Sequence, residues 1–362
     1  MAATVGLTGF VVDAAADARK LAPLPDPPAV DAATAGLGGL LFFDPRLAGD
    51  TGNSCGSCHD PAKGWGDGKA LSTGYTGVEH FRNSPALFNV AFRRTLTWDA
   101  RLDGADLATL TRDMVTEAHT MNADTRLVQE RLKQVPEYAE MFKVSFGGDP
   151  YGGGIYAAIS EFLKTIRTVN APLDKYLRGD QKALSPQQLA GKAVFEGKGG
   201  CIACHNGPML SDGGTHALGT PENAAITTEP LRHITMLRHF ASLGAPNFMN
   251  LREDIGAFAV TKDPRDRSRF ATPSLWDVGQ TGPYMHNGVF TTLEEVVEFY
   301  DRGGGEGNSE LKPLGLSGGE RQTLVAFLLA MTGDKPTVTP SARPPDYQLC
   351  KPGENRRPGK EP

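Results

Sequence analysis

Apolar residues recur with a helical period near residue 300. Leu293, Val296, Val297 and Tyr300 are spaced i, i+3, i+4 and i+7, which predicts an amphipathic helix with these side chains on its buried face. A tyrosine in such a position is either a core residue whose hydroxyl bonds to the backbone or a ligand. The pattern leaves both interpretations open.

Two further helices are predicted by the residues at their starts. The sequence SPQQ from Ser185 combines a proline in the first turn with a Ser-x-x-Gln capping box. The sequence SGGE from Ser317 is a second capping box, and the apolar run that follows it extends to Met331. Turn residues before Ser185 indicate a domain boundary near residue 180.

The chain contains an internal repeat. LGGLLFFDPRLAGDTGNSCGSCH in the first half is matched by AGKAVFEGKGGCIACH in the second, and SPALFNV (residues 84–90) is matched by TPSLWDV (residues 272–278). Trp98 and His286 lie thirteen residues after the two matching prolines. We therefore expect a duplicated module of residues 28–179 and 180–335, followed by a proline-rich tail of residues 336–362.

Composition narrows the fold class. Glycine and proline supply 43 and 26 of the 362 residues, which predicts a mainly α protein with long loops. A formal net charge of −5 and a pI near 5.9 argue against a nucleic-acid partner, because there is no basic excess to follow phosphates. The longest apolar stretch, residues 324–331, is too short for a membrane span.

Four of the five cysteines lie in CGSCH (Cys55, Cys58, His59) and CIACH (Cys201, Cys204, His205). This is the spacing of c-type haem attachment, in which two thiols bind the porphyrin and the histidine binds the iron. The alternatives are a structural zinc site, which needs four closed ligands, and a redox dithiol, which needs no adjacent histidine. We expect two covalent haems, and we assign no role to Cys350 in the tail.

The cellular location is predicted by the haems. Bacteria attach c-type haem outside the inner membrane, so we expect a periplasmic protein. The first twenty residues, MAATVGLTGFVVDAAADARK, lack a basic region ahead of an apolar core and predict no signal peptide. The expected chain is then the mature form of an exported protein.

Six sequence features together resemble the bacterial di-haem cytochrome c peroxidase family, and within it the MauG-like branch. They are the two haem motifs in this order, RNSP from Arg82, WDAR from Trp98, TGPYMHNG from Thr281 and TLEEVVEFY ending at Tyr300. The resemblance covers residues 35–335. It implies a mainly α fold with two cytochrome c-like haem domains.

The resemblance assigns a role to Tyr300. The matching residue of the family's peroxidases is a methionine that ligates the second haem, whereas MauG-like proteins have a tyrosine there. Tyr300 is thus implied to be the axial partner of His205. Because a phenolate favours ferric and higher states, the two haems could share oxidising equivalents as a bis-ferryl pair.

The haem on His59 is implied to react with peroxide. Glu117, on the helical segment predicted to run from Leu107 through His119, matches the family's distal acid–base glutamate; a solvated acid on the helix face is the alternative. The family has Asn-Pro-Val-Glu-Met at this position, whereas this chain has MVTEAH, without the glutamine that MauG carries one helix earlier. Trp98 matches the tryptophan that relays electrons between the haems.

The resemblance also implies one calcium ion between the haems, held by Asn83 and the backbone carbonyls of Thr281 and Pro283, because oxygen ligands suit a hard cation. Some peroxidases of the family rest with a displaceable ligand on the first haem. His80 and Tyr75 are the candidates here, although we expect an open site because Tyr300 disfavours reductive activation. We assign no metal role to the remaining histidines, which are His119, His216, His233, His239 and His286.

The leading hypothesis for function is an enzyme that uses hydrogen peroxide to oxidise tryptophan or tyrosine residues of a partner protein at long range, as the resemblance to MauG and to the methanobactin-associated MbnH proteins implies. The alternative is a cytochrome c peroxidase that draws electrons from a small redox carrier. A non-enzymatic di-haem electron carrier is a third reading, and Glu117 argues against it because a carrier would close both irons with ligands.

Overall fold

The computed structural model describes residues 19–75 and 78–336, together with Pro345. Cys350 lies outside the described residues, as does most of the predicted tail. The helices found in the described part are α1 (Ala32–Phe42), α2 (Cys55–Cys58), α3 (Leu107–Thr116), α4 (Thr125–Lys133), α5 (Pro136–Phe146), α6 (Gly152–Leu163), α7 (Pro172–Leu177), α8 (Pro186–Glu196), α9 (Ala225–Thr228), α10 (Pro230–Ser242), α11 (Phe258–Thr261), α12 (Leu293–Asp301) and α13 (Gly318–Leu329).

Strands are short and few. Strand β1 (Thr95–Leu96) pairs antiparallel with β2 (Leu102–Asp103), and β3 (Thr215–Ala217) pairs antiparallel with β4 (Arg269–Ala271). The rest of the described chain is helix and loop, which confirms the predicted mainly α fold with long loops. No helix in the part described is both long enough and apolar enough to cross a membrane.

The predicted helix starts are confirmed. Ser185 caps α8 and Ser317 caps α13, and in both capping boxes the serine hydroxyl accepts the backbone N–H three residues later. In α12 the side chains of Leu293 and Val297 are buried as its periodicity predicts, Val296 and Tyr300 are only partly buried, and Phe299, which lies off the predicted face, is buried as well. Local sequence therefore determines where these three helices begin and which side packs inward.

The helices that precede the two haem motifs each pack against a later helix through a glycine. Helix α1 crosses α6 at Gly38, where a Cβ would lie 1.8 Å from the carbonyl oxygen of Ala158. Helix α8 crosses α13 at Gly191, where a Cβ would lie 1.9 Å from the carbonyl oxygen of Thr323. The two backbones can approach this closely because glycine has no side chain.

The matched motifs SPALFNV and TPSLWDV adopt the same local structure. Asn89 and Asp277 both have a positive φ, 55° and 61°, and each begins a short 3₁₀ helix. The Asn89 side-chain oxygen accepts the backbone N–H of Thr168, and the Asp277 carboxylate accepts that of Gly333. SPALFNV is thus bound to the segment that follows α6, and TPSLWDV is bound to the segment that follows α13.

Three clusters of buried apolar residues form the core. The first lies within residues 37–166, and the second combines Leu24 with residues 171–331. The third joins Leu71 and Phe81 to residues 226–259. Sequence-distant α10 and α11 therefore pack against the loop that follows the first haem motif.

Candidate functional site

The first haem motif places its histidine for metal binding. Cys55–Cys58 forms α2, and His59 follows it directly. The His59 ring donates from Nδ1 to the carbonyl oxygen of Trp65 at 2.9 Å, and Trp65 holds a left-handed φ of 59°. Burial lowers the pKa of His59, so the ring is neutral and its Nε2 lone pair is free for a metal.

The second motif repeats this geometry. His205 donates from Nδ1 to the carbonyl oxygen of Leu210 at 2.9 Å, and Leu210 has a φ of 50°. Burial again lowers the pKa of the histidine. An imidazole whose Nδ1–H is bound to a backbone carbonyl is the usual arrangement of a metal-ligating histidine, so both motifs fit an iron ligand.

The four thiols favour covalent attachment over the alternatives. All are unpaired and half-buried. Burial raises the pKa of Cys55 and of Cys201 to about 12, whereas a redox dithiol needs a lowered pKa. Among the described residues, one group of possible metal ligands brings its atoms within 4.8 Å: Cys204, Asp212 and His216. It omits His205 and lacks the fourth ligand of a structural zinc site.

Tyr300 points towards the second haem motif. Burial raises the pKa of its phenol, and the nearby Cys201 and Cys204 raise it further. Its ring packs edge-on against Phe299, and among the described residues its hydroxyl has no hydrogen-bond partner. The structure shows no backbone bond of the kind expected of a core tyrosine, and ligation stays a prediction. A phenol left without an acceptor can lose its proton to a metal ion.

Glu117 lies one residue beyond the helix on which it was expected. Helix α3 ends at Thr116, because Glu117 turns to an extended backbone with ψ of 134° while its N–H still bonds to Asp113. The predicted continuation of the helix through His119 is therefore wrong. The turn directs the carboxylate at Arg101, whose guanidinium donates to both oxygens at 3.1 and 3.2 Å.

A second donor completes the surroundings of this carboxylate. His119 Nε2 lies 2.9 Å from Glu117 Oε2. Burial acts to raise the pKa of Glu117, but the hydrogen bond from His119 and the charge of Arg101 outweigh it, so that the pKa lies below its ordinary value. Glu117 is thus an ionised, doubly held carboxylate and not a solvated surface acid.

Behind Glu117 lies a buried ionic cluster. Asp99 is fully buried and accepts hydrogen bonds from Arg82 at 2.7 Å, Arg101 at 3.2 Å and His239 at 3.4 Å. Arg82 also forms a bidentate pair with Asp254, at 2.6 and 2.9 Å. Buried charges of this kind hold their geometry tightly, because an unpaired member would be costly.

Trp98 stands between the two halves. Its indole N–H donates to the carbonyl oxygen of Asn83 at 2.9 Å, and its own carbonyl accepts the N–H of Ala271 in β4. The indole lines a cavity of about 210 Å³ together with Pro208, which follows the second haem motif, and Pro273 of the TPSLWDV motif. Trp98 therefore contacts both halves, the first through its indole N–H and the second through its backbone carbonyl.

Of the three residues expected to bind calcium, Asn83 is bonded to the loop that carries the other two. The N–H of Asn83 donates to the carbonyl of His286 at 2.7 Å, which brings Asn83 to the loop that carries Thr281 and Pro283. The Asn83 side-chain N–H₂ donates to the carbonyl of Lys69 at 2.7 Å. Its amide oxygen accepts no hydrogen bond from the described residues, which suits a cation ligand.

The two candidates for a cap on the first haem differ in their surroundings. His80 stacks on Phe81, and its Nδ1 accepts the N–H of Arg82 at 3.0 Å. Its ring centre lies 5.5 Å from that of His119. Tyr75 lies near Gly49, where a Cβ would approach the phenol ring to 3.2 Å. His80 is thus the candidate that joins the Glu117 surroundings.

Comparison with known proteins agrees with the geometry. The model of the di-haem cytochrome c peroxidase family matches residues 32–182. The chain is 53% identical to cytochrome-c peroxidase IdrP2 of Denitromonas iodatirespirans, an alignment that covers 98% of this chain and 97% of that protein. This chain belongs to the di-haem cytochrome c peroxidase family.

The chain is also similar to MauG and to a MauG-like protein. The chain is 35% identical to methylamine utilization protein MauG of Methylorubrum extorquens, over 84% of this chain and 79% of MauG. A crystal structure of a MauG-like protein associated with microbial copper homeostasis matches with a TM-score of 0.70 and 27% identity, over 87% of this chain and 93% of that one.

Membership of the di-haem cytochrome c peroxidase family establishes the class of chemistry. The chain is an enzyme that acts on hydrogen peroxide and carries two covalently bound haem c groups. The two Cys-x-x-Cys-His motifs are the candidate attachment sites, and the geometry of His59 and His205 fits the iron ligands expected there.

Two residues near Glu117 were not assigned a role from sequence. His119 lies two positions after Glu117, and this short spacing is a signal that could have found it. His239 is carried by α10 and lies 140 residues from Asp99, its hydrogen-bond partner. No local pattern could predict that contact, because it depends on the packing of α10 against the first half.

Proposed function

We propose that this peroxidase uses hydrogen peroxide to oxidise tryptophan or tyrosine residues of a partner protein by long-range electron transfer, and that Tyr300 and His205 would hold the iron of the second haem. The observation that carries the proposal is the position of the Tyr300 phenol, which faces Cys201 and Cys204 and lacks a hydrogen-bond acceptor in the described structure. A phenolate ligand favours oxidised iron over the reduced state that a carrier would need.

The peroxide is handled at Glu117. The haems, when bound, supply the iron that binds hydrogen peroxide and the electrons that reduce it. The ionised Glu117 takes a proton from one peroxide oxygen and returns it to the oxygen that leaves as water, so the carboxylate ends as it began. One terminal nitrogen of Arg101 donates to both carboxylate oxygens, which keeps the carboxylate close to Arg101 during this transfer.

The two haem modules are proposed to be residues 28–179 and 180–335. Equivalent glycine crossings at Gly38 and Gly191 and equivalent turns at Asn89 and Asp277 support their origin by duplication. Trp98 would relay electrons between the modules, since it contacts both. A calcium ion at Asn83, Thr281 and Pro283 would hold the relay in place, because the Asn83 carbonyl binds the Trp98 indole.

A second candidate is a peroxidase that draws electrons from a small redox carrier. The observation that favours it is the 53% identity with a protein named cytochrome-c peroxidase. In both cases the electron source is a protein that docks outside the haem pockets. Covalent haem c supports a periplasmic location for either reaction.

Electron paramagnetic resonance of the ferric protein before and after stoichiometric peroxide tests the proposal, with Tyr300→Met compared against Tyr176→Phe. Tyr176 is half-buried in the same core cluster and serves as the control. We expect one high-spin and one low-spin haem, and a long-lived near-infrared species that Tyr300→Met abolishes and Tyr176→Phe retains. An unchanged low-spin signal in Tyr300→Met, with turnover only from a reduced cytochrome, would establish the second candidate instead.

A further inference from the structure

His119 is held firmly beside Glu117. Its side chain is 13% exposed and that of Glu117 is 25% exposed, with 2.9 Å between His119 Nε2 and Glu117 Oε2. The backbone of His119 is closely covered by Gly74, where a Cβ would lie 2.1 Å from the His119 carbonyl oxygen. A glycine is required at residue 74 for this loop to close.

The other groups that face His119 come from three different segments. His239 on α10 packs edge-on at 4.9 Å between ring centres, and His80 lies at 5.5 Å. Burial lowers the pKa of His239 to about 4 and that of His80 well below its ordinary value, so both rings are neutral near pH 7. The charged groups nearby are Arg82, Arg101 and Asp99.

Arg101 and His119 act on Glu117 in different ways. The guanidinium of Arg101 is shared, since it also bonds to the buried Asp99 at 3.2 Å, and it spans both Glu117 oxygens. His119 bonds to a single oxygen, Oε2. With Arg101 alone the carboxylate could pivot about the guanidinium, whereas a second donor on Oε2 fixes its rotation.

We propose that His119 is a positioning residue for Glu117: its Nε2–H holds Oε2 and leaves Oε1 turned to receive the peroxide proton. The proposal rests on the proposed role of Glu117 and deepens it. During the proton transfer His119 neither gains nor loses a proton. Glu117 alone takes the proton from one peroxide oxygen and delivers it to the other.

The test compares His119→Leu, which removes the donor, with His119→Gln, which retains an N–H at a similar reach. His233→Leu is the control, because the Nε2 of His233 is also hydrogen-bonded, but to the backbone carbonyl of Leu251 and not to Glu117. Glu117→Gln tests the carboxylate itself. Two quantities are measured: the pH profile of the rate of reaction with peroxide, and the pKa of Glu117 from its carboxyl infrared band, identified by its loss in Glu117→Gln. The infrared measurement needs no turnover.

We expect His119→Leu to slow the peroxide reaction by roughly tenfold to a hundredfold, as misplacement of a reacting group does. The pKa of Glu117 and the acid limb of the profile should both rise by about one pH unit, because one hydrogen bond to a charged group is worth about that much. His119→Gln should restore both, and His233→Leu should match the unmodified protein.

Two results would overturn these assignments, and they are distinguishable. If His119→Leu slows the reaction while the infrared pKa and the acid limb stay in place, His119 is a packing residue and Glu117 keeps its proposed role. If Glu117→Gln reacts with peroxide at the original rate, the proposed role of Glu117 is wrong, and the role of His119 fails with it.

Discussion

Trp98 donates its indole N–H to the backbone carbonyl of Asn83 at 2.9 Å, so one residue of the proposed calcium site directly orients the proposed relay. Trp276 offers a matched control, because its indole also bonds to a carbonyl, that of Pro208, and it is buried. We expect Trp98→Phe to slow electron transfer between the haems by at least about tenfold, which corresponds to about 1.4 kcal/mol of barrier. Stopped-flow spectra at the two haems after peroxide measure this rate, and an equal effect of Trp276→Phe would argue against a relay.

Calcium should stabilise the folded protein through Asn83. A ligand at one hundred times its Kd adds about 2.7 kcal/mol, which for a protein of this size raises the Tm by roughly 3–5 °C. We expect calcium to produce this rise in chelator-treated protein and in Asn83→Asp, which retains a side-chain oxygen, and not in Asn83→Ala. Calorimetry with and without calcium measures it. A calcium response preserved in Asn83→Ala would place the ion elsewhere.

Helix α1 provides a paired test of its packing. At Gly38 a Cβ would collide with the backbone of α6, whereas at the exposed Gly36 nothing lies within 4 Å. We expect Gly38→Ala to lower the free energy of unfolding by about 1–3 kcal/mol or more and Gly36→Ala to raise it by about 0.5–1 kcal/mol. Denaturant unfolding measures the free energy of unfolding of both variants. Similar changes at the two positions would contradict the close contact of α1 with α6 at Gly38.

Stability should fall as the pH drops below 6.5. Burial lowers the pKa of His286 to about 4 from its ordinary 6.5, and the ring stacks on Phe270 with Nε2 unbonded. Between these pH values the unfolded chain binds a proton that the folded chain does not, so unfolding becomes easier as pH falls. The cost at pH 5 is about 2 kcal/mol for this histidine.

The measurement is the denaturant midpoint from pH 7 to pH 5 in the unmodified protein and in His286→Leu. The variant removes the titrating ring, so its stability should depend less steeply on pH whatever its absolute stability. His239, whose burial lowers its pKa to about 4 as well, contributes equally to both proteins. Identical slopes would show that His286 accepts a proton in the folded state.

Sequence predicted the features that depend on neighbouring residues. The capping boxes at Ser185 and Ser317 and the buried stripe of α12 are local patterns, and the structure contains them. The sequence predicted that α3 continues through His119, but it ends at Thr116. The bonds of Glu117 to Arg101 and His119 favour an extended backbone at Glu117. Such tertiary contacts produce no periodic pattern in the sequence.

The pairing of Arg82 with Asp254, 172 residues apart, has a consequence for how the protein can be divided. The repeat suggests two self-sufficient pieces, yet Asp254 and His239 come from the second and complete the ionic cluster of the first. A fragment that ends near residue 180 would leave Arg82 buried with a single carboxylate, and breaking such a pair costs about 3–5 kcal/mol. The first half thus depends on residues of the second half for part of its interior, and a lone first half would be an incomplete folding unit.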